Sequence, residues 1–113
     1  MAVKVLIERW VRSGHEPMVW EMLRDLRGQA LRCRGYLYGE TWRSITNPRV
    51  FVVLSVWASR EHWESWAQDP FRLKVDERIN RMLTKPSSIK LFEELTGPPE
   101  PSQGQRRGGG RVR

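Results

Sequence analysis

A chain of 113 residues and 13.3 kDa has the size of one domain, and so short a chain leaves much surface uncovered, which makes a second copy a ready source of further burial. No apolar run approaches the roughly 20 residues that span a bilayer; the single Cys33 rules out an internal disulfide, and Met1–Val5 enters an alternating pattern with no signal-peptide core, so a reducing, cytoplasmic setting is expected. Of the net charge of +7, residues 96–113 hold four arginines against Glu100 and carry +3, leaving an ordinary +4 on residues 1–95 that draws anions only weakly.

In chain order, Val3 to Arg12 alternates as a strand, with Val3, Val5, Ile7 and Val11 on one face and Leu6 and Trp10 on the other. Ser13-Gly14 breaks it. Pro17 suits the first turn of a helix, where its missing N–H is not needed, and Val19, Met22, Leu23, Leu26 and Ala30 follow as one apolar stripe to about Arg32. Cys33, at the end of this helix, reads most simply as a small apolar residue, although Arg32 and Arg34 beside it would favour a thiolate. After Arg34-Gly35, Tyr36–Ile45 and Val50–Trp57 read as strands joined by the turn Thr46-Asn47-Pro48-Arg49. Ser59 caps a short helix to about Gln68, and Asp69-Pro70 starts another that presents Phe71, Val75, Ile79 and Met82 and closes at Pro86. Ile89–Leu95 is the last strand. The tail beyond residue 95, rich in Pro, Gly and Arg, has almost nothing to bury and is expected to be disordered; its one Arg/Gly copy is weak evidence for nucleic-acid contact.

The order β-α-β-β-α-β is the ferredoxin-like arrangement, an antiparallel four-stranded sheet with helices on one face. The face away from the helices should be polar if it meets water. Here it is not, since Leu6, Trp10 and both faces of Val50–Trp57 are apolar, with strand 2 offering Tyr36, Tyr38 and Trp42 or else Leu37 and Ile45. The same sheet of a second copy is the expected cover, giving a two-fold homodimer packed sheet to sheet.

The segment Val52–Trp66 is the most informative, because half of the six tryptophans lie in it. Trp57 ends a strand, and Trp63 and Trp66 sit three apart on the helix that follows. The run Val3-Lys4-Val5-Leu6-Ile7-Glu8-Arg9, Gly14 before a Glu-containing helix start, Gly35-Tyr36 with Gly39-Glu40-Thr41, and Val56-Trp57-Ala58-Ser59 with Trp63-Glu64-Ser65-Trp66 together resemble the antibiotic biosynthesis monooxygenase (ABM) domain over residues 3–95. The resemblance implies a dimeric α+β barrel and an enzyme that needs neither metal nor flavin, in which O2 meets an electron-rich aromatic, polyketide or quinol-like anion held in an apolar pocket between sheet and helices. The family's strand-3 tryptophan falls on Trp57. Haem-degrading relatives add an Asn on strand 1 and a His on the last helix; those positions fall near Glu8 and Asp76, and neither His15 nor His62 matches, so haem degradation is disfavoured.

The expected site is therefore Trp57 as pocket wall, Glu8 as catalytic base, and Tyr38, Trp42, Trp66, Phe71 and Asp76 as substrate contacts, with no cofactor and no metal. Plainer roles compete. Glu8 can pair with Arg9 or Arg43, Asp76 can be salt-bridged, Tyr38 and Trp42 can pack the dimer, and Trp63 and Trp66 can be packing. The alternative function is a non-catalytic homodimer that binds a hydrophobic ligand, haem included, or stabilises a partner.

Overall fold

The computed structural model describes residues 1–102. The elements are β1 (Val3–Trp10), α1 (Glu16–Ala30), β2 (Tyr36–Arg43), β3 (Val50–Trp57), α2 (Arg60–Ala67), α3 (Pro70–Asn80) and β4 (Ser88–Phe92). The strands form one sheet in the order β2-β3-β1-β4, every neighbouring pair antiparallel. This is the expected ferredoxin-like α+β fold, with the second helical connection split in two. Most of the expected disordered tail, residues 103–113, lies outside the described residues.

The local signals hold where chemistry fixes them. The Ser59 hydroxyl accepts from the His62 N–H and caps α2; Asp69 accepts from the N–H groups of Phe71 and Arg72 and caps α3, with Pro70 in its first turn. The stripe of α1 is buried as spaced: Val19, Met22, Leu23, Leu26 and Ala30. Before α1, Gly14 takes a left-handed turn at φ +91°, and its N–H donates to the Glu16 carboxylate at 2.8 Å.

Three expectations are corrected. α3 ends at Asn80 rather than near Pro86, because the chain after it pairs with the end of β1: Arg12 N–H donates to Met82 O and Thr84 N–H to Trp10 O, both at 2.8 Å. On α3 the inward position is Arg72, 5 % exposed, and Phe71 is 40 % exposed. β4 stops at Phe92, leaving Leu95 exposed beyond it.

Register settles the two faces of the sheet, since directly paired residues share a face. Val5 opposes Ser55, Ile7 opposes Val53 and Arg9 opposes Phe51 on the helix side. Leu6 opposes Leu54 and Glu8 opposes Val52 on the other. Strand 2 is irregular: Tyr36 pairs with Trp57 and Tyr38 with Val56, so Leu37 is an extra residue. This bulge turns Tyr36 toward the helices and Tyr38 with Trp42 away from them. One core cluster fills the helix side, from Val5, Ile7 and Val11 through the α1 stripe to Val75, Ile79 and Leu83.

Candidate functional site

The corner after β3 is built around Trp57, which is fully buried. Its indole N–H donates to Ser55 Oγ at 3.0 Å. Trp66 stacks on it at 6.2 Å and 25°, Trp63 meets it edge-on at 6.2 Å, and Tyr36 edge-on at 5.2 Å. Such pairs add to the large apolar area that each ring buries. The geometry follows from three local devices. Ala58 N–H donates to Gly35 O at 2.7 Å and turns the chain, Ser59 starts α2, and the three-residue spacing of Trp63 and Trp66 brings both back over Trp57. Gly35 sits at φ +86°, and a Cβ there would lie 2.2 Å from the His62 ring, so the corner requires glycine.

Beside this aromatic cluster is a cavity of about 50 Å³ between the sheet and the helices. Its aromatic wall is Tyr36, Trp57, Trp63 and Trp66; its apolar wall is Ile7, Val53, Leu54, Leu23, Leu26 and Ala30; its polar wall is Arg9, Arg27, Arg72, Glu40, Thr41 and Ser55. Gly39 lies against it, where a Cβ would stand 2.3 Å from the Tyr36 hydroxyl. A side chain at residue 39 would displace Tyr36 into the cavity or out of its pairing with Trp57.

The polar wall is the part that the sequence concealed. Arg9 is 2 % exposed and donates from Nη2 to Asp76 Oδ1 at 2.8 Å. Arg72 donates from Nη1 to Ala67 O at 3.3 Å and lies 5.4 Å over the ring of Trp63. Burial lowers the pKa of Arg72, the charge of Asp76 opposing that shift and Arg9 adding to it. Arg27 donates to Gly39 O at 3.0 Å. Arg9 Nε and Arg72 Nη2 are buried and have no hydrogen-bond partner among the described residues, an arrangement that costs free energy unless a ligand or solvent meets it. Alternation puts residue 9 on the apolar face and spacing puts residue 72 in line with Val75 and Ile79, but arginine is a residue type that mostly faces water, so neither position stands out as core.

Of the expected site residues, the structure brings together Trp57, Trp66 and, through its pair with Arg9, Asp76. Glu8, Tyr38 and Trp42 are not in the cavity's lining, and register places all three on the far face of the sheet. Phe71 is absent from the lining and largely exposed. Of the two partners suggested for Glu8, Arg9 faces the other way and holds Asp76, and no ion pair of Glu8 with Arg43 is formed among the described residues either. On the far face Tyr38 Oη and Trp42 Nε1 both donate to the Glu40 carboxylate. These bonds lower the pKa of Glu40, and the bond to Glu40 raises that of Tyr38. Tyr36 is pushed up by burial, with Arg27 opposing. The cavity's lining thus holds a protonated phenol, three guanidinium groups and one carboxylate that already accepts two hydrogen bonds.

Cys33 is packed against the core and donates to Gln29 O at 3.6 Å. Burial and then the charge of Asp69 raise its pKa, opposite to the effect expected of Arg32 and Arg34, so it is the plain small residue and not an activated thiolate. Among the described residues no group of three or more His, Cys, Asp or Glu is placed to hold a metal ion, and no helix is long and apolar enough to cross a membrane.

The family model for antibiotic biosynthesis monooxygenase matches residues 2–75. No curated protein sequence matches the chain. Among solved structures, a conserved protein from Methanosarcina mazei superposes with a TM-score of 0.80 at 14% identity, covering 84% of this chain and 94% of that one. Rv0793 from Mycobacterium tuberculosis superposes at 0.78 with 15% identity, over 86% and 98% of the two chains. SnoaB, a cofactor-independent oxygenase from Streptomyces nogalater, superposes at 0.73 with 16% identity, over 88% of this chain and 100% of that one. At these identities the likeness is one of fold.

Proposed function

The chain belongs to the antibiotic biosynthesis monooxygenase family, and from that premise we propose that it is a cofactor-independent monooxygenase that uses O2 on a small aromatic, polyketide or quinol-like substrate. The observation that carries the reading is the Trp57 corner: a fully buried indole in an aromatic cluster, at a cavity whose lining also carries three arginines, one of them over Trp63. In this reading the aromatic wall of Trp57 and Trp66 orients the ring system, and the arginines stabilise the phenolate or enolate from which electrons pass to O2. A reacting methylene becomes a carbonyl; one oxygen atom enters the product and the other leaves as water with the two hydrogens. Asp76 positions Arg9 and does not touch substrate. Glu8, Tyr38 and Trp42 belong to the face where a second copy packs, together with Leu6, Trp10, Val52, Leu54 and Val56.

Oxygen uptake against a panel of quinols and anthrone-like phenols tests the proposal. Trp57→Phe keeps an aromatic face but loses the N–H donated to Ser55 and some area, so it should cost about 1–2 kcal/mol of stability. Uptake should fall by more than tenfold in a variant that stays folded. Uptake lost only in proportion to folded protein would make Trp57 core alone.

A second reading, a non-catalytic homodimer that binds a hydrophobic ligand or stabilises a partner, has one observation in its favour. The cavity has room for a few water molecules, whereas an apolar cavity that holds benzene measures about 150 Å³. Absence of uptake across the panel, with no binding of an aromatic probe, would select the partner-stabilising form of that reading, which is the one so small a cavity favours.

A further inference from the structure

Three arginines line the cavity from the sheet and helices, and two of them, Arg9 and Arg72, are more than nine-tenths buried. Each leaves a buried N–H, at Nε and Nη2 respectively, without a partner among the described residues. Acidic groups offset two of the three cations. Asp76 holds Arg9, and Glu40, on which the charge of Arg27 acts, offsets Arg27. Arg72 has a carbonyl and a tryptophan face as close partners and no ion pair among the described residues; the charge of Asp76 acts on it too, but that carboxylate is already paired with Arg9, so two acids face three cations. A buried cation in that condition favours an anion strongly, because an unpaired buried charge is costly. One uncompensated charge calls for a monoanion, and a guanidinium fork matches the two oxygens of a carboxylate.

We infer that the cavity is a carboxylate site, with Arg9 Nε and Arg72 Nη2 as its unused donors and the acid group of the substrate as its occupant. The inference rests on the oxygenase reading for the aromatic body of the ligand, and it narrows the substrate to an aromatic acid. The one carboxylate in the lining, Glu40, already accepts hydrogen bonds from Tyr38 and Trp42 and so leaves the two free donors to the ligand's acid group, while Arg27 remains for the phenolate or enolate of the reaction. The small volume fits an acid group rather than a ring.

The test is a matched pair of probes, benzoate and benzamide, which share a ring and differ in charge, with formate as the acid group alone. Binding is read by tryptophan fluorescence and by the rise in Tm that any ligand of the native state produces. Benzoate should bind at least tenfold more tightly than benzamide, and Arg72→Met should weaken benzoate by about 10–100-fold, the worth of a hydrogen bond to a charged group, while leaving benzamide unchanged. Formate binding as tightly as benzoate would support the carboxylate site and make its source a small free acid. Benzoate and benzamide binding alike, or neither binding, would overturn the inference, the two donors then being met by water. If Arg72→Met does not fold, the comparison of probes on the native protein still decides. None of these readouts is turnover, so failure of the oxygenase reading would show as absent oxygen uptake and leave the acid-against-amide result standing.

Discussion

At the scale of single residues, the pair Arg9–Asp76 is where stability and site meet. Arg9 sits opposite Phe51 and in line with Ile7 on the helix side of the sheet, and a guanidinium there is tolerable because Asp76 reaches it at 2.8 Å from α3. Removing one partner of such a pair leaves a charge in the core, which costs about 3–5 kcal/mol. Asp76→Asn should fall near the lower end of that range, since Asp76 itself keeps 17 % exposure and the amide oxygen can still accept one bond. The double change Arg9→Met, Asp76→Leu removes both charges and should recover most of the loss. Urea unfolding at constant m-value measures both variants. A loss under about 1 kcal/mol for Asp76→Asn would mean that Arg9 is held by something other than this pair.

At the scale of elements, the caps connect local sequence to the site. Asp69 accepts from Phe71 N–H at 2.8 Å and Arg72 N–H at 3.3 Å, so the residue that starts α3 also fixes the backbone from which Arg72 reaches the cavity. Asp69→Ala should cost about 1 kcal/mol and Asp69→Asn little, because asparagine caps nearly as well; equal losses in thermal unfolding would show that charge rather than capping matters there. These caps were legible in the sequence because they depend on neighbours two or three residues away. The element order, the α1 stripe and the Trp57 corner were legible for the same reason. What stayed hidden depends on distant partners. Positions 71 and 72 both fit the spacing to Val75 and Ile79, and hydrophobicity chose Phe71, whereas the core took Arg72 because Trp63 and the Ala67 carbonyl were there to receive it. Arg9 needed Asp76, 67 residues away. The bulge at Leu37 reverses the side on which every later residue of β2 lies, so Tyr38 and Trp42 leave the cavity face although Tyr36 lies on it.

At the scale of the whole molecule, the far face of the sheet decides what the functional unit is. In the single chain Leu6, Trp10, Val52, Leu54 and Val56 are half-buried there, and Tyr38 and Trp42 are 51% and 44% exposed. Contiguous apolar surface of this kind marks an interaction site, and burying each large side chain contributes roughly 1.5–3 kcal/mol, so a few suffice to hold two sheets together. A second copy is the partner we propose, since a two-fold axis sets the same patch against itself. Val52 is the position to probe, because it pairs with Glu8 on one side and Trp42 on the other and takes no part in the cavity lining. Val52→Glu would place a second carboxylate directly opposite Glu8 and desolvate it in any sheet-to-sheet contact. Sedimentation at micromolar concentration should give a dimer for the native chain and a monomer for the variant, with circular dichroism unchanged because the helix-side core is untouched. Leu54 and Glu40 belong to the far face by register and also border the cavity, so the variant should lower benzoate affinity as well. A native chain that sediments as a monomer would refute the sheet-to-sheet dimer. A monomeric variant with native benzoate affinity would show that each cavity works alone.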